Sequence, residues 1–379
     1  MFYYLYQLSE RFSFLRIFQY ITFRALAAAG TAFMISLIAG PWLIRALRRF
    51  KIGQQIRTED SETLLKIHGK KAGTPTMGGL LIILAAVVST LLWAVPSNLY
   101  VQLTLATLCF MGGVGFWDDY LKLRRRQSKG LDARGKMLLQ TGWVVLMAAV
   151  LLSHPATADR TRNLMVPFLK NPLITNMGLL GSLIFIWLII AGSTNAVNLT
   201  DGLDGLAAGC TGSVALAYLF MAYVAGHYEF ATYLQVPFVK SGGELAVFCG
   251  ALLGASLGFL WLNCHPAKVF MGDTGSLALG GGIAMVAILI KQELTLIIVG
   301  GVFVAEALSV MLQVAYFKFT GGRRIFLCAP LHHHYEFLEK KRAEEENRDL
   351  EVVETMITTR FWIVSIICAL IGVATLKIR

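Results

Sequence analysis

The chain has 379 residues, 56% hydrophobic and only 15% charged, with a mean hydropathy of +0.63, which excludes a soluble domain and implies an all-α polytopic membrane protein. Its net charge of +11 comes from 34 Lys+Arg against 23 Asp+Glu, with the basic residues gathered in a few loops between apolar spans, so they indicate positive-inside topology and exclude nucleic acid as a partner. The same charge would meet anionic lipid headgroups or phosphorylated substrates at the cytoplasmic face.

Met1 to Tyr20 is aromatic and polar by turns and lacks the compact apolar core of a cleavable signal, which predicts a retained interfacial segment. Apolar windows then predict about ten membrane helices, near 22–46, 77–95, 98–116, 137–153, 176–194, 203–225, 243–262, 275–291, 293–317 and 358–377. Loops after the first and third spans are rich in Lys and Arg, as is the segment before the last span, whereas the loop after the second has none. That asymmetry puts the odd-numbered loops in the cytoplasm and both termini outside. The connection from Ser153 to Thr175 is expected to be external, with some local structure. Glu339 to Glu354 mixes both charge signs at helical spacing and predicts a solvated cytoplasmic helix. The six cysteines are scattered without a CxxC pair, so free thiols are expected. No repeat or linker divides the chain, and residues 1–379 are expected to form a single transmembrane domain.

On this topology five polar clusters fall on the cytoplasmic face: KKAGTPTMGG, DDYLK, NAVNLTDGLDG, NCHPAKVFMGDTGS and APLHHHYE. Their common side implies a shared site. In NAVNLTDGLDG, Asp201 and Asp204 would share one face if the segment is helical, a pairing that attracts a metal or a proton. Asp118 and Asp119 close the third span with Lys122 four residues after Asp118, which makes either an exposed acid–lysine pair or a site for a divalent cation and a phosphate. The spacing is not the DDxxD of a prenyl-diphosphate synthase. FMGDTGS sets Asp273 between glycines just before the eighth span, where Asp273 or Thr274 could cap the helix and Asp273 hold a metal. GTPTMGG opens a helix beside two lysines and suits a phosphate. His332, His333 and His334 diverge in direction and have no partner at zinc spacing, so a polar loop or a phosphate or carboxylate donor fits better than zinc. Glu306 is an isolated intramembrane acid, expected to be a bonded structural residue or, second, part of a substrate path.

With these motifs in this order, the chain resembles the polyprenyl-phosphate N-acetylhexosamine-1-phosphate transferases over essentially its whole length, with no departure at a motif position. The histidine loop, PLHHHYE, points to the members whose donor carries a muramoyl-pentapeptide. The resemblance implies transfer of phospho-N-acetylmuramoyl-pentapeptide from UDP to undecaprenyl phosphate, giving lipid I and UMP, with Mg²⁺ as cofactor. It implies an inner-membrane protein with periplasmic termini and a cytoplasmic-face site, and leaves room for a homodimer. Carried over by motif position, Asp118, Asp119 and Asp201 are the catalytic carboxylates and Asp273 the metal ligand. Asp118 would position the acceptor or take its last proton. Lys71, Thr76, Lys122, Asn195, Asn198, Asp204, Asn263, Phe270, His332, His333 and His334 would bind substrate, Phe270 by stacking on uracil. Two rivals stay open: a sibling transferase with a UDP-N-acetylglucosamine-type donor, and a secondary transporter. The transporter predicts acids at the bilayer midplane and matched halves, neither of which the sequence displays.

Overall fold

The computed structural model describes residues 1–49, 73–125 and 130–378. Among them the secondary structure is helical, apart from one isolated antiparallel bridge between Leu164 and Ile174. Two 3-10 helices, Phe2–Glu10 and Ser13–Gln19, precede fourteen α-helices: α1 Ile21–Arg49, α2 Gly79–Trp93, α3 Leu99–Arg125, α4 Ala133–Ser153, α5 Ala158–Thr161, α6 Gly178–Thr200, α7 Leu206–Gly226, α8 Tyr228–Tyr233, α9 Glu244–Asn263, α10 Gly272–Leu289, α11 Thr295–Val299, α12 Gly301–Phe319, α13 Leu331–Glu345 and α14 Glu351–Ala374. Nine of these are long and apolar enough to cross a membrane, and α2 is a shorter apolar helix of the same kind, so the chain is a multi-pass membrane protein. Every expected span coincides with a helix, with one break at Gly300, which splits the ninth into α11 and α12.

At the centre stands α10, almost wholly buried and packed against α3 and α6. Its apolar residues run all round, as befits a helix surrounded by others. Small residues set how closely the neighbours approach: a Cβ on Gly280 would meet the Thr194 Cα at 2.6 Å and the Ser193 carbonyl at 2.7 Å. Lipid provides no hydrophobic drive between helices, so such backbone contacts carry the packing. The outer helices α1, α12 and α14 leave most of their surface outside the bundle.

The directions of the helices collect the polar motifs. The carboxy ends of α3, α6 and α9 and the amino ends of α4, α7, α10 and α14 meet at one end of the bundle, where the hydrogen bonds described below join them. The hairpin around Leu164–Ile174, α8, and the turn after α10 lie at the other end. The predicted helix over Glu339 to Glu354 is two helices, α13 and α14, parted by a turn over residues 346–350. All six cysteines are free thiols.

Candidate active site

Asp118 and Asp119 sit inside α3, which runs nine residues beyond the expected end of that span, to Arg125. Both are buried. Asp119 reaches across to the first turn of α10, where its carboxylate accepts the Asp273 N–H at 3.2 Å, the Thr274 N–H at 3.0 Å and the Thr274 hydroxyl at 2.7 Å. A helix start leaves amides without intrahelical partners, and here they are satisfied from another helix. The expectation that Asp273 or Thr274 caps its own helix is thereby corrected: Met271 holds the cap position, and Asp273 is left to face the cluster.

The segment before α10 is braced by the one before α2. Phe270 donates its N–H to the Pro75 carbonyl at 2.8 Å, while Gly78 and Gly79 donate to the carbonyls of Phe270 and Met271 at 2.8 and 2.9 Å. Gly272 takes φ +72°, and a Cβ there would lie 2.6 Å from the Asp119 carboxylate and 2.9 Å from the Thr76 hydroxyl. Glycine is what lets this turn approach the acids so closely.

Two ammonium groups bind the acids. Lys122 lies 2.5 Å from Asp118 Oδ2, 3.3 Å from Asp273 Oδ1 and 3.7 Å from Asp119 Oδ1, and Lys136, from the first turn of α4, donates to Asp273 Oδ2 at 2.7 Å. Asn198 completes the shell, donating to Asp273 Oδ1 at 2.9 Å and to the Ser276 hydroxyl at 2.8 Å. The other oxygen of Asp118 accepts the Leu131 N–H at 2.8 Å. One carboxylate oxygen from each of Asp118, Asp119 and Asp273 lies within 4.8 Å of the others. Three carboxylates against two ammoniums leave a net negative charge, and a set of hard oxygen donors suits Mg²⁺.

Asp201 comes just after the end of α6 and titrates beside this cluster. Burial pushes its carboxyl up to about 8, with Asp273 and Asp119 adding to the rise and a backbone hydrogen bond from Gly272 opposing it. Asp204 belongs elsewhere. Residues 201–205 form a turn ending in Gly205 at φ +77°, so the two acids do not share a helix face. Asp204 Oδ2 accepts the Ala267 N–H at 3.1 Å and faces His265 Nδ1 at 3.1 Å, while Glu354 accepts the Asp204 N–H at 2.9 Å. Asp204, His265 and Glu354 form a second group with metal-ligand proximity.

The other expected binders are spread around these two groups. Asn195, three residues before Asn198 on α6, is turned toward Gln140, to which it donates at 3.0 Å. Asn263 is buried as a clamp, accepting the Gly205 N–H at 3.0 Å and donating to the Val269 carbonyl at 2.8 Å. The histidines open α13 and take three different partners: His332 Nδ1 meets Glu306 at 3.1 Å, His333 Nδ1 meets Glu336 at 2.9 Å, and His334 Nδ1 accepts the Leu327 N–H at 3.2 Å. Burial holds the His332 imidazole below its ordinary value against the pull of Glu306. Glu336, with burial against it, is held down to about 2 by His333 and Lys340. Glu306 is thus a bonded residue, as expected, and it also accepts the His332 N–H at 3.1 Å. Lys71 lies outside the described residues. Sequence reasoning passed over Lys136, Ser276, His265 and Glu354 as site residues and took Thr274 only for a helix cap; Lys136 was visible only as one of many basic loop residues.

Comparison with known proteins decides among transferases and transporters. A model of glycosyl transferase family 4 matches residues 101–291, and a signature of phospho-N-acetylmuramoyl-pentapeptide-transferases matches residues 71–83. Proteins named phospho-N-acetylmuramoyl-pentapeptide-transferase align over the full length of both chains, with 49% identity in Desulfotalea psychrophila and 47% in Methylacidiphilum infernorum and Neisseria gonorrhoeae. The chain belongs to the phospho-N-acetylmuramoyl-pentapeptide-transferase family. Membership rules out the transporter reading, and the signature places the GTPTMGG segment within the family's own pattern.

Proposed function

We propose that this family member catalyses the family's reaction, transferring phospho-N-acetylmuramoyl-pentapeptide from UDP to undecaprenyl phosphate to give lipid I and UMP, the first membrane step of peptidoglycan synthesis. Full-length identity of 47–49% to relatives of that name carries the reading. The geometry agrees with it. A phosphate monoester on a lipid must attack a diphosphate on a soluble nucleotide, and a buried acidic cluster with two lysines at the helix ends suits that meeting of anions.

Asp118, Asp119 and Asp273 would hold Mg²⁺, with Asp273 the principal ligand. When bound, the ion supplies positive charge to the donor diphosphate and its departing UMP. The chain's own residues do the rest. Asp119 fixes the turn that presents Asp273. Lys122 and Lys136 neutralise the acids and stand ready to donate to phosphate oxygens. The acceptor phosphate, with a second pKa of about 6, reaches neutral pH largely as a dianion. One of its oxygens bonds to the sugar-linked phosphorus as the bond from that phosphorus to UMP breaks, so no strong base is required. Asp201 and Asn198 flank the site, while Thr76, Asp204, Asn263, Phe270 and the three histidines frame the substrate space with Asn195 at its edge, and the family signature over residues 71–83 supports Lys71 as a further substrate ligand. The helix directions and basic loops support ten spans with α2 as the tenth, periplasmic termini, an inner-membrane location, and a single domain whose site faces the cytoplasm.

The test is UMP release by purified protein with Mg²⁺ and undecaprenyl phosphate, offering UDP-N-acetylmuramoyl-pentapeptide and UDP-N-acetylglucosamine in parallel. Turnover of the peptide-bearing donor alone, abolished by Asp273→Asn, is expected. Turnover of the simpler donor would assign the chain a different substrate.

A further inference from the structure

At the end of the bundle away from the carboxylates lies a cavity of about 490 Å³, walled by the 164–174 hairpin, the segment after α8 and the turn that follows α10. Helices of twenty residues separate it from the acidic cluster by about 30 Å. Its size is that of a small-ligand site. Three cations line it, Arg160, Lys170 and Lys291, and among the described residues no carboxylate does.

The cations differ in how they are held. Lys291 is buried and pairs with Glu293 at 2.5 Å. Its backbone takes φ +59° at the position where a helix commonly ends in glycine: the Gln292 N–H bonds back to Ala287 at 2.9 Å and the Lys291 N–H to Ile288 at 3.2 Å. A lysine therefore occupies a place that favours the residue with no side chain. Arg160 and Lys170 line the cavity with no ion pair or side-chain hydrogen bond among the described residues. Two unpaired cations and a third in the wall make a basic pocket, and guanidinium and ammonium groups together are the usual means of taking a phosphate.

The rest of the lining is mixed, with the polar Asn163, Asn171, Thr232 and Gln235 beside an apolar stretch of wall that includes Met165, Val236 and Phe238. The rim carries Phe168 and Leu169 at the hairpin tip and Tyr228 and Phe230 on α8, all exposed. Exposed aromatic residues at the ends of membrane helices sit at headgroup level. We propose that this cavity binds an anionic headgroup that ends in a phosphate monoester, its phosphate held by Arg160 and Lys170 with Lys291 behind them and its apolar portion against Met165, Val236 and Phe238. The site is separate from the catalytic cluster and uses none of its residues.

The test uses the full-length protein in neutral detergent and a double variant, Arg160→Gln with Lys170→Gln, whose altered side chains leave no partner unpaired. Native mass spectrometry reads the number of dioleoyl phosphatidic acid molecules bound per chain, with dioleoyl phosphatidylcholine as the zwitterionic comparison and glycerol 3-phosphate as the soluble competitor. The wild type is expected to carry one phosphatidic acid more than the variant and to bind that one at least tenfold more tightly than phosphatidylcholine. Release of that molecule by glycerol 3-phosphate at matching concentrations would assign the pocket to soluble phosphates; retention would assign it to a lipid. Equal phosphatidic acid binding by wild type and variant, or equal binding of phosphatidylcholine, overturns the proposal. Unchanged UMP release by the variant reports that it is folded.

Discussion

Asp118 has both carboxylate oxygens engaged, one by the Leu131 N–H and the other by Lys122, which is the arrangement of a group that holds its surroundings in place. Asp118→Asn is therefore expected to lose turnover by the same factor at pH 6 and pH 8. Near-normal turnover at pH 8 with loss at pH 6 would instead make proton removal its main task, because only the lower pH leaves the acceptor phosphate half protonated. Asp201 gives a second handle. Its carboxyl rises from an ordinary 3.8 to about 8 in the folded protein. Between those values the folded chain keeps a proton that the unfolded chain has lost, so this group makes stability fall as pH rises through the window. Asparagine has no proton to lose. In chelator-containing buffer, the drop in Tm from pH 5 to pH 8 should be smaller for Asp201→Asn than for the wild type, and equal drops would refute the assignment.

Asp119 belongs to the scale of elements, because it joins two of them. Removing the carboxylate by Asp119→Ala strips three hydrogen bonds from the start of α10. Loss of a cap costs about 0.5–2 kcal/mol, and buried amides left unsatisfied cost about 1–3 kcal/mol more; a lowered Tm without Mg²⁺ would distinguish this structural role from metal binding alone. The contact between α1 and α9 offers a cleaner comparison. A Cβ on Gly254 would fall within 1.9 Å of the Ala29 carbonyl oxygen, whereas one on Gly113 meets nothing within 4 Å. Gly254→Ala should lower Tm, by an overpacking cost of about 1–3 kcal/mol, and Gly113→Ala should leave it unchanged or slightly raised. The elements themselves were legible in the sequence, since long apolar runs bounded by Gly, Asp and basic residues leave a membrane chain little choice but helix. The turn at 201–205 was legible in principle too: two Asp-Gly pairs mark a turn, and that signal outweighs the i,i+3 reading of Asp201 and Asp204. What could not be read was partnership. Asp119 with Thr274, Glu306 with His332, and Glu354 with Asp204 are separated by 155, 26 and 150 residues, and their pairing follows from how the helices cross.

The whole molecule has a polar end where the motifs meet and, at the opposite end, a buried ion pair that ties α1 to α9. Arg24 of α1 binds Glu244 of α9 through two hydrogen bonds of 2.7 and 2.6 Å and also donates to the Trp93 carbonyl at 3.1 Å. Glu244 in turn accepts the Val95 N–H at 2.9 Å, the N-terminal ammonium donates to the carbonyls of Leu91 and Leu92, and the Tyr3 ring lies 4.8 Å from the Arg24 guanidinium carbon. Four segments thus converge on two charges. Removing one partner strands the other in a buried site, a loss of about 3–5 kcal/mol. Arg24→Ala and Glu244→Gln are each expected to lower Tm sharply. Replacing both by apolar residues should recover only part of the loss, because Trp93 and Val95 would still lack their partners. The acidic cluster lies at the other end of the bundle, on α3, α4, α6 and α10, so UMP release per folded molecule should match the wild type below the lowered Tm. A turnover defect that tracks neither unfolding nor temperature would mean that this end is coupled to the acidic end through the bundle.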